Sequence, residues 1–354
     1  MANQELTYHK LPQTNKIDMS ARTATHAGSW YTANSKQLNS ELSGWIAQVD
    51  GPNSSSGYAP PIKDCKAIIA PHAGYSYSGP TAAWAYKSID VTKVRRVFIL
   101  GPSHHVYLDG CALSLCKTYK TPIGDLPLDL ETIGKLRATG EFADMDIQTD
   151  EDEHSIEMHL PYVRKMFESQ DIVVIPILVG AISYQKERHF GDLLAPYLAE
   201  EDTFFVVSSD FCHWGIRFSY TFYYPTPPPG GQATAVRLKA SNVSTSLKSA
   251  THPIHASITA LDHEAMEILA LEPTPDTKTA EAAHSQFDTY LKRTKNTICG
   301  RHPIGVLLGA LTGVQEMGGG NVLPTLRWVR YAQSSACENL RDSSVSYASA
   351  YITL

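Results

Sequence analysis

Three stretches of the chain are apolar almost throughout rather than at alternate positions, and each reads as a short strand buried on both faces. They are Lys66-Ala67-Ile68-Ile69-Ala70, Arg96-Val97-Phe98-Ile99-Leu100 and Thr203-Phe204-Phe205-Val206-Val207. Gly101-Pro102 stops the second, because proline lacks a ladder donor and drives the residue before it out of helical space. Beyond each run lie groups that can do chemistry: Pro71-His72-Ala73-Gly74-Tyr75, Ser103-His104-His105 and Ser208-Ser209-Asp210-Phe211-Cys212-His213. Ligands of open α/β sheets bind in the crevice beyond the carboxyl ends of the strands. Three strands that each deliver histidine there predict one shared site.

Helical spacing fills the intervals. Leu38, Leu42, Trp45, Ile46 and Val49 share one face of a predicted helix over 35–49. Further helices are expected over 80–87, 130–138, 153–167 and 185–198, the last with Phe190, Leu193, Leu194, Tyr197 and Leu198 inward. Ile258, Leu261, Ala265 and Ile268 mark another, 287–291 lies in the next, and 304–314 forms the last. Additional strands are predicted over 111–115, 172–179, 326–332 and 345–353, with Pro176 favouring an edge position for the second. Residues 1–20 read as a loose arm and 51–57 as a surface loop, while Pro225, Pro227, Pro228, Pro229, Gly230 and Gly231 suggest a long exposed insertion over 221–251. No repeat or composition break divides the remainder. The expectation is a single α/β domain over 21–354, with a central mixed sheet flanked by helices on both faces.

Composition narrows the class. The 354 residues are 43% hydrophobic and 19% charged, enough to bury a core. A net charge of −6 supplies no basic face for nucleic acid, and no run approaches a membrane span. The start, Met1-Ala2-Asn3-Gln4-Glu5, lacks the basic and apolar regions of a signal peptide. Six scattered cysteines point to reduced thiols and a cytoplasmic protein.

Of fourteen histidines, His9, His189, His252, His255, His263 and His284 fall in the tail, the insertion or on helix surfaces, where no chemical role is expected. His72 and His104 each follow a buried strand and a proline-bounded turn, the pattern of a metal or catalytic site. His105 points away from His104 if the chain stays extended there, and spacing does not decide which of the two faces the site. His154 and His159 are five residues apart, about 140° around a helix, which excludes a shared ion of the zincin type. Asp210 and His213 suit general acid/base work, although an aspartate there also fits a capping role. Cys299 sits in a glycine-flanked turn near Arg301 and His302, whose cations lower a thiol pKa. The alternative for it is a small buried hydrophobe.

Six motifs, taken together and in order, resemble the Memo family: His26-Ala27-Gly28-Ser29-Trp30-Tyr31, Ala70-Pro71-His72-Ala73-Gly74-Tyr75, Leu100-Gly101-Pro102-Ser103-His104-His105, Glu153-His154-Ser155, Ser208-Ser209-Asp210-Phe211-Cys212-His213-Trp214-Gly215 and Asn296-Thr297-Ile298-Cys299-Gly300. The resemblance runs from Arg22 to the C-terminus; the arm and the proline-rich insertion have no counterpart. It implies a fold related to class III non-haem iron extradiol dioxygenases and a metal site of His72, His104 and Cys299. Asp210 and His213 would line the same pocket, with His213 resembling the residue that serves as acid/base toward a phenolic substrate in the dioxygenase relatives. Trp30, Tyr75 and Tyr77 would border it, and His105 and His154 are counted among its lining.

The family is named for mediating receptor-driven cell motility. Copper-dependent superoxide production, iron binding and phosphotyrosine-peptide binding in animal members have all been attributed to it, and the nucleus is a second compartment to expect. Extradiol dioxygenases hold iron with two histidines and a carboxylate. Cys299 in place of the carboxylate makes a softer site, suited to Cu(I) or thiolate-bound iron and to O2 reduction rather than ring cleavage. Three readings follow: a redox protein binding iron or copper, an adaptor seating a phosphotyrosine peptide in a vestigial pocket, and a metal-free hydrolase with Cys299 as nucleophile and His213 as base.

Overall fold

A computed structural model describes residues 21–49, 58–248, 250–273 and 278–354. The expected arm over 1–20 and loop over 51–57 lie outside the described residues. The buried runs form the middle of a nine-stranded mixed sheet: β1 (Cys65–Ala70), β2 (Arg96–Pro102), β3 (Cys111–Ser114), β4 (Phe142–Met145), β5 (Val173–Val179), β6 (Thr203–Ser208), β7 (Asp210–Trp214), β8 (Thr325–Gln333) and β9 (Ser344–Thr353). Strands β1, β6, β2 and β5 lie side by side and parallel, buried at almost every position. Phe98 and Phe205, opposite each other in the β2–β6 register, stack at 4.6 Å. Antiparallel β3 extends the sheet beyond β5, followed by β4. At the other end β9 runs antiparallel, carrying β1 and β7 on one edge and β8 on the other.

The longer helices are α1 (Ser35–Gln48), α2 (Tyr75–Lys87), α3 (Tyr184–Ala199), α4 (Ile254–Leu269), α5 (Ala280–Thr294) and α6 (Arg301–Met317). The chain crosses from β1 through α2 to β2 in one direction along the sheet, and from β5 through α3 to β6 in the other. Right-handed crossovers in opposite directions put their helices on opposite faces. α2 packs on β1 and β9 with α1 outside it, whereas α3 and α6 pack together against β6. The result is the expected three-layer α/β fold.

Several local expectations change in the structure. Pro176 does not mark an edge, since β5 is paired on both sides. It sits one residue past the last pair with β3, Leu113↔Ile177, where its missing N–H breaks no ladder bond. The predicted helix over 153–167 is two short helices, His154–Glu157 and Leu160–Met166, because Pro161 opens a new first turn. α2 starts at Tyr75 rather than at residue 80; Tyr75 N–H finds the carbonyl of Trp30, and Pro80 falls inside the helix.

The proline-rich stretch is also more integrated than a wholly exposed insertion. Phe222–Tyr223 pairs with Val236–Arg237, and Tyr223, Tyr224 and Leu238 are buried. His284, expected on a helix surface, is only 2% exposed because it faces the buried Glu187.

Candidate metal centre

The sheet order explains why distant histidines meet. β6 lies between β1 and β2, so the turns after β1 and β2 flank the end of β6. His72 follows β1, His104 follows β2, and Ser208 ends β6. The third contributor is the loop between α5 and α6, carrying Cys299. Gly300 lets that loop approach the strand end, because a Cβ there would lie 2.2 Å from the Ser208 carbonyl oxygen. Asn296 anchors its start by donating to Asp262 Oδ1 at 3.1 Å and to Tyr290 Oη at 2.8 Å.

Ring orientations follow from hydrogen bonding. The Ser208 hydroxyl gives its proton to the Ser155 carbonyl at 2.7 Å, so it accepts from His72 Nδ1 at 2.6 Å. That leaves His72 Nε2 as a lone pair, 3.1 Å from Cys299 Sγ. His104 Nδ1 is 2.9 Å from Glu153 Oε1, and the other carboxylate oxygen accepts the His104 backbone N–H at 2.7 Å. His104 Nε2 is therefore the free nitrogen, completing a carboxylate–histidine pair of the kind that aims metal ligands. Gly101 permits this arrangement: a Cβ there would come within 2.6 Å of Ser155 Oγ.

One ligand atom from each of His72, His104 and Cys299 lies within 4.8 Å of the other two. Two tetrahedral ligands about 2.1–2.3 Å from one ion stand about 3.5 Å apart, so only a slight closure fits the three to a single ion. The donor set of two imidazoles and a thiol suits iron, copper or zinc rather than magnesium or calcium. His104, Glu153 and His154 form a second group of the same span. There Glu153 is already committed to His104 and to the Ser155 N–H at 2.9 Å, as a supporting partner.

Burial sets the protonation. It drives His72 well below the usual imidazole range, reinforced by His104 and His154, and it pushes the Cys299 thiol well above its ordinary value. His154 falls to about 3 through burial and the neighbouring His104. Burial opposes the charge on Glu153, yet the bond from His104 holds it down at about 2. Without an ion the ligand pair is thus thiol and neutral imidazole; a bound cation reverses the thiol's balance.

Asp210 and His213 sit beside this cluster. Asp210 is 3% exposed, and its Oδ1 accepts the His72 N–H at 2.8 Å and the Ala73 N–H at 3.4 Å. Burial raises it above an ordinary aspartate, against the pull of His213. Its backbone N–H also points at Cys299 Sγ, at 3.3 Å. His213 Nδ1 lies 3.0 Å from the Phe211 carbonyl and 3.1 Å from the Thr297 carbonyl. Carbonyl oxygens only accept, so Nδ1 carries the proton and Nε2 is free to act as a base.

The cluster opens into a cavity of about 720 Å³ lined by His72, His104, His154, Asp210 and His213, with Arg217 and four serines on another wall. Trp30 and Tyr77 border it; Tyr77 is 61% exposed, and Trp30 lies 4.4 Å from the His154 ring. Tyr75, expected at the rim, is instead buried and donates its hydroxyl to the Met158 carbonyl at 2.8 Å, because the helix begins on it and turns it inward. His105 is exposed outside the lining, its ring edge-on to His154 at 5.9 Å.

The hydrolase reading loses its base, since the imidazole bonded to Cys299 is His72 rather than His213, and both members of that pair are neutral. Sequence reasoning did not assign Ser208, Ser155, Thr297 or Glu153 a role. For Glu153 the signal was its place in the motif Glu153-His154-Ser155.

Fold and donor set together define a three-layer α/β protein with a histidine–cysteine cluster at its strand ends that can hold a transition metal. A family model described as Memo-like protein matches residues 22–351, and the chain belongs to that family. It is 46% identical to human Protein MEMO1 over 336 residues, 94% of this chain and 97% of that one. It is 39% identical to the Caenorhabditis elegans Protein memo-1 homolog over 93% of this chain and 81% of the homolog. A solved structure, the uncharacterized protein JW3007 of Escherichia coli K12, aligns with a TM-score of 0.41 and 13% identity over 80% of this chain and 99% of that one. Among the described residues no helix is long and apolar enough to cross a membrane.

Proposed function

We propose that this chain is a redox-active metal protein that binds one iron or copper ion through His72, His104 and Cys299. The observation that carries the reading is the mutual approach of these three donors within 4.8 Å, with both histidines presenting Nε2 to the cluster. Held by His72, His104 and Cys299, such an ion would supply one-electron redox chemistry toward O2. The protein's part is to hold and shield. Ser208 and Glu153 fix the histidine rings, the Asp210 N–H donates to the Cys299 sulfur, and His213 Nε2 takes or returns a proton in the cavity. A role in cell-motility signalling belongs to the same proposal.

The test is metal analysis of anaerobically purified protein beside His72→Ala and Cys299→Ala, with oxygen uptake followed in parallel. About one iron or copper per chain, lost in both variants together with oxygen uptake, is the expected result. Unchanged stoichiometry in Cys299→Ala would overturn it.

A second reading, an adaptor for a phosphotyrosine peptide in the same cavity, is favoured by Arg217. It lines the cavity, sits 4.7 Å over the Phe218 ring and pairs with no carboxylate among the described residues. An exposed guanidinium of this kind suits a phosphate. Phosphopeptide affinity that survives metal removal and falls in Arg217→Gln supports it, and no binding across a peptide panel refutes it.

A further inference from the structure

Behind the loop that carries Cys299 lies a second cavity, of about 690 Å³, which shares no lining residue with the metal cavity. That volume is in the range of small-ligand sites. Its walls come from the start of α3, from α5 and from the loop into α6. At its base the buried Glu187 carboxylate meets His284 Nε2 and His302 Nδ1, each at 2.6 Å. A carboxylate in this position accepts, so both of these ring nitrogens carry protons. The opposite nitrogens, His284 Nδ1 and His302 Nε2, have no hydrogen-bond partner among the described residues.

Cations surround this base on a chain whose net charge is −6. Lys292 is paired with Asp288 at 2.6 Å, but Arg301 reaches only the Ile298 carbonyl at 3.4 Å. Neither Arg301 nor Lys295 pairs with a carboxylate among the described residues. The wall beside them is apolar and aromatic, with Leu291 and with the Tyr184 ring tilted against His284 at 4.2 Å. Unpaired cations beside an apolar wall are the features of a site for an organic anion. Lys295 caps the end of α5 and Arg301 opens α6, so the two cations reach the cavity from separate segments, an arrangement that fits a tetrahedral phosphate better than a flat carboxylate.

We propose that this cavity binds a small phosphate-bearing molecule, its phosphate held by Arg301 and Lys295 and its remainder against Tyr184 and Leu291. Nothing in this rests on which metal, if any, occupies the other cavity.

Calorimetric titration of the full chain with glycerol 3-phosphate tests the proposal, with inorganic phosphate and succinate as further probes. The expected result is saturable binding of one glycerol 3-phosphate, weakened at least ~10-fold in both Arg301→Gln and Lys295→Gln and unchanged in Arg217→Gln, which alters only the metal cavity. Lys295 is exposed, so its variant keeps the fold. Absence of saturable binding overturns the proposal. So does binding that Arg217→Gln abolishes while Arg301→Gln retains it. Succinate binding as tightly as the phosphate ester would refute the phosphate class.

Discussion

Two histidine clusters in this molecule use the same residue types to different ends. At the strand ends the acceptors stand behind the rings: Ser208 behind His72 and Glu153 behind His104. The free nitrogens then face a common point with Cys299. At the junction of α3, α5 and α6 the carboxylate stands between the rings, and Glu187 takes the facing nitrogen of both His284 and His302. The first cluster is arranged to receive a cation, while the second already contains its anion. What separates a metal site from a structural clamp is therefore where the hydrogen-bond acceptor sits relative to each ring, rather than how many histidines gather.

The largest test of this contrast is metal content. Cys299→Ala is expected to lose its ion outright, whereas His302→Ala, in the clamp, keeps full stoichiometry by elemental analysis. Equal loss in both would erase the distinction.

Next comes acid sensitivity near the first cluster. Burial opposes the charge on Glu157, yet the bond with His26 Nδ1 at 2.9 Å, the Arg22 ion pair at 2.8 Å and the Tyr31 hydroxyl at 2.8 Å hold it down at about 2. Its folded-state value is depressed, so its stabilisation is present above the unfolded carboxylate value near 4.5 and is lost as pH falls toward 2. Glu157→Gln should cost up to ~3 kcal/mol at neutral pH. In denaturant titrations the gap from wild type should close between pH 4.5 and 2. A gap that does not change with pH would mean that the carboxylate's charge is irrelevant.

Glu153→Gln removes the charged acceptor behind His104 while keeping its shape. A metal affinity lowered about 10–100-fold, with stoichiometry restored at saturating metal, is the expected outcome of competition titrations. The smallest effect belongs to the clamp. Glu187→Gln leaves one imidazole N–H facing an amide donor, and should reduce unfolding free energy by about 1–3 kcal/mol without altering metal content. An unchanged midpoint of denaturation would show that the clamp holds nothing together.

Much of the fold was legible because it rests on local periodicity. The uniformly apolar runs at β1, β2 and β6 are central strands, and the faces of α1, α3 and α4 bury residues that spacing placed inward, among them Leu38, Phe190 and Leu261. Reading failed where a distant partner overrode a local rule. Pro176 reads as an edge signal, but the pairing with β3 stops one residue short of it, at Leu113↔Ile177. Tyr75 sat in a motif otherwise facing the cavity, but as the first residue of a helix it packs beside Tyr31 and Tyr162. His284 carries the polar look of a surface residue, but its partner Glu187 is 97 positions away.

The sequence by itself determined three things: that buried parallel strands end in histidines, that a cysteine turn follows in a family-specific order, and hence which donors to consider. Only the tertiary structure decided that they converge and which nitrogen each histidine offers. The contacts responsible span 136 residues from His72 to Ser208, 49 from His104 to Glu153 and 227 from Cys299 to His72. Periods of 2 and 3.6 residues report which face of an element is buried. They say nothing of the order in which strands lie side by side, and it is that order that brings these partners within hydrogen-bond reach.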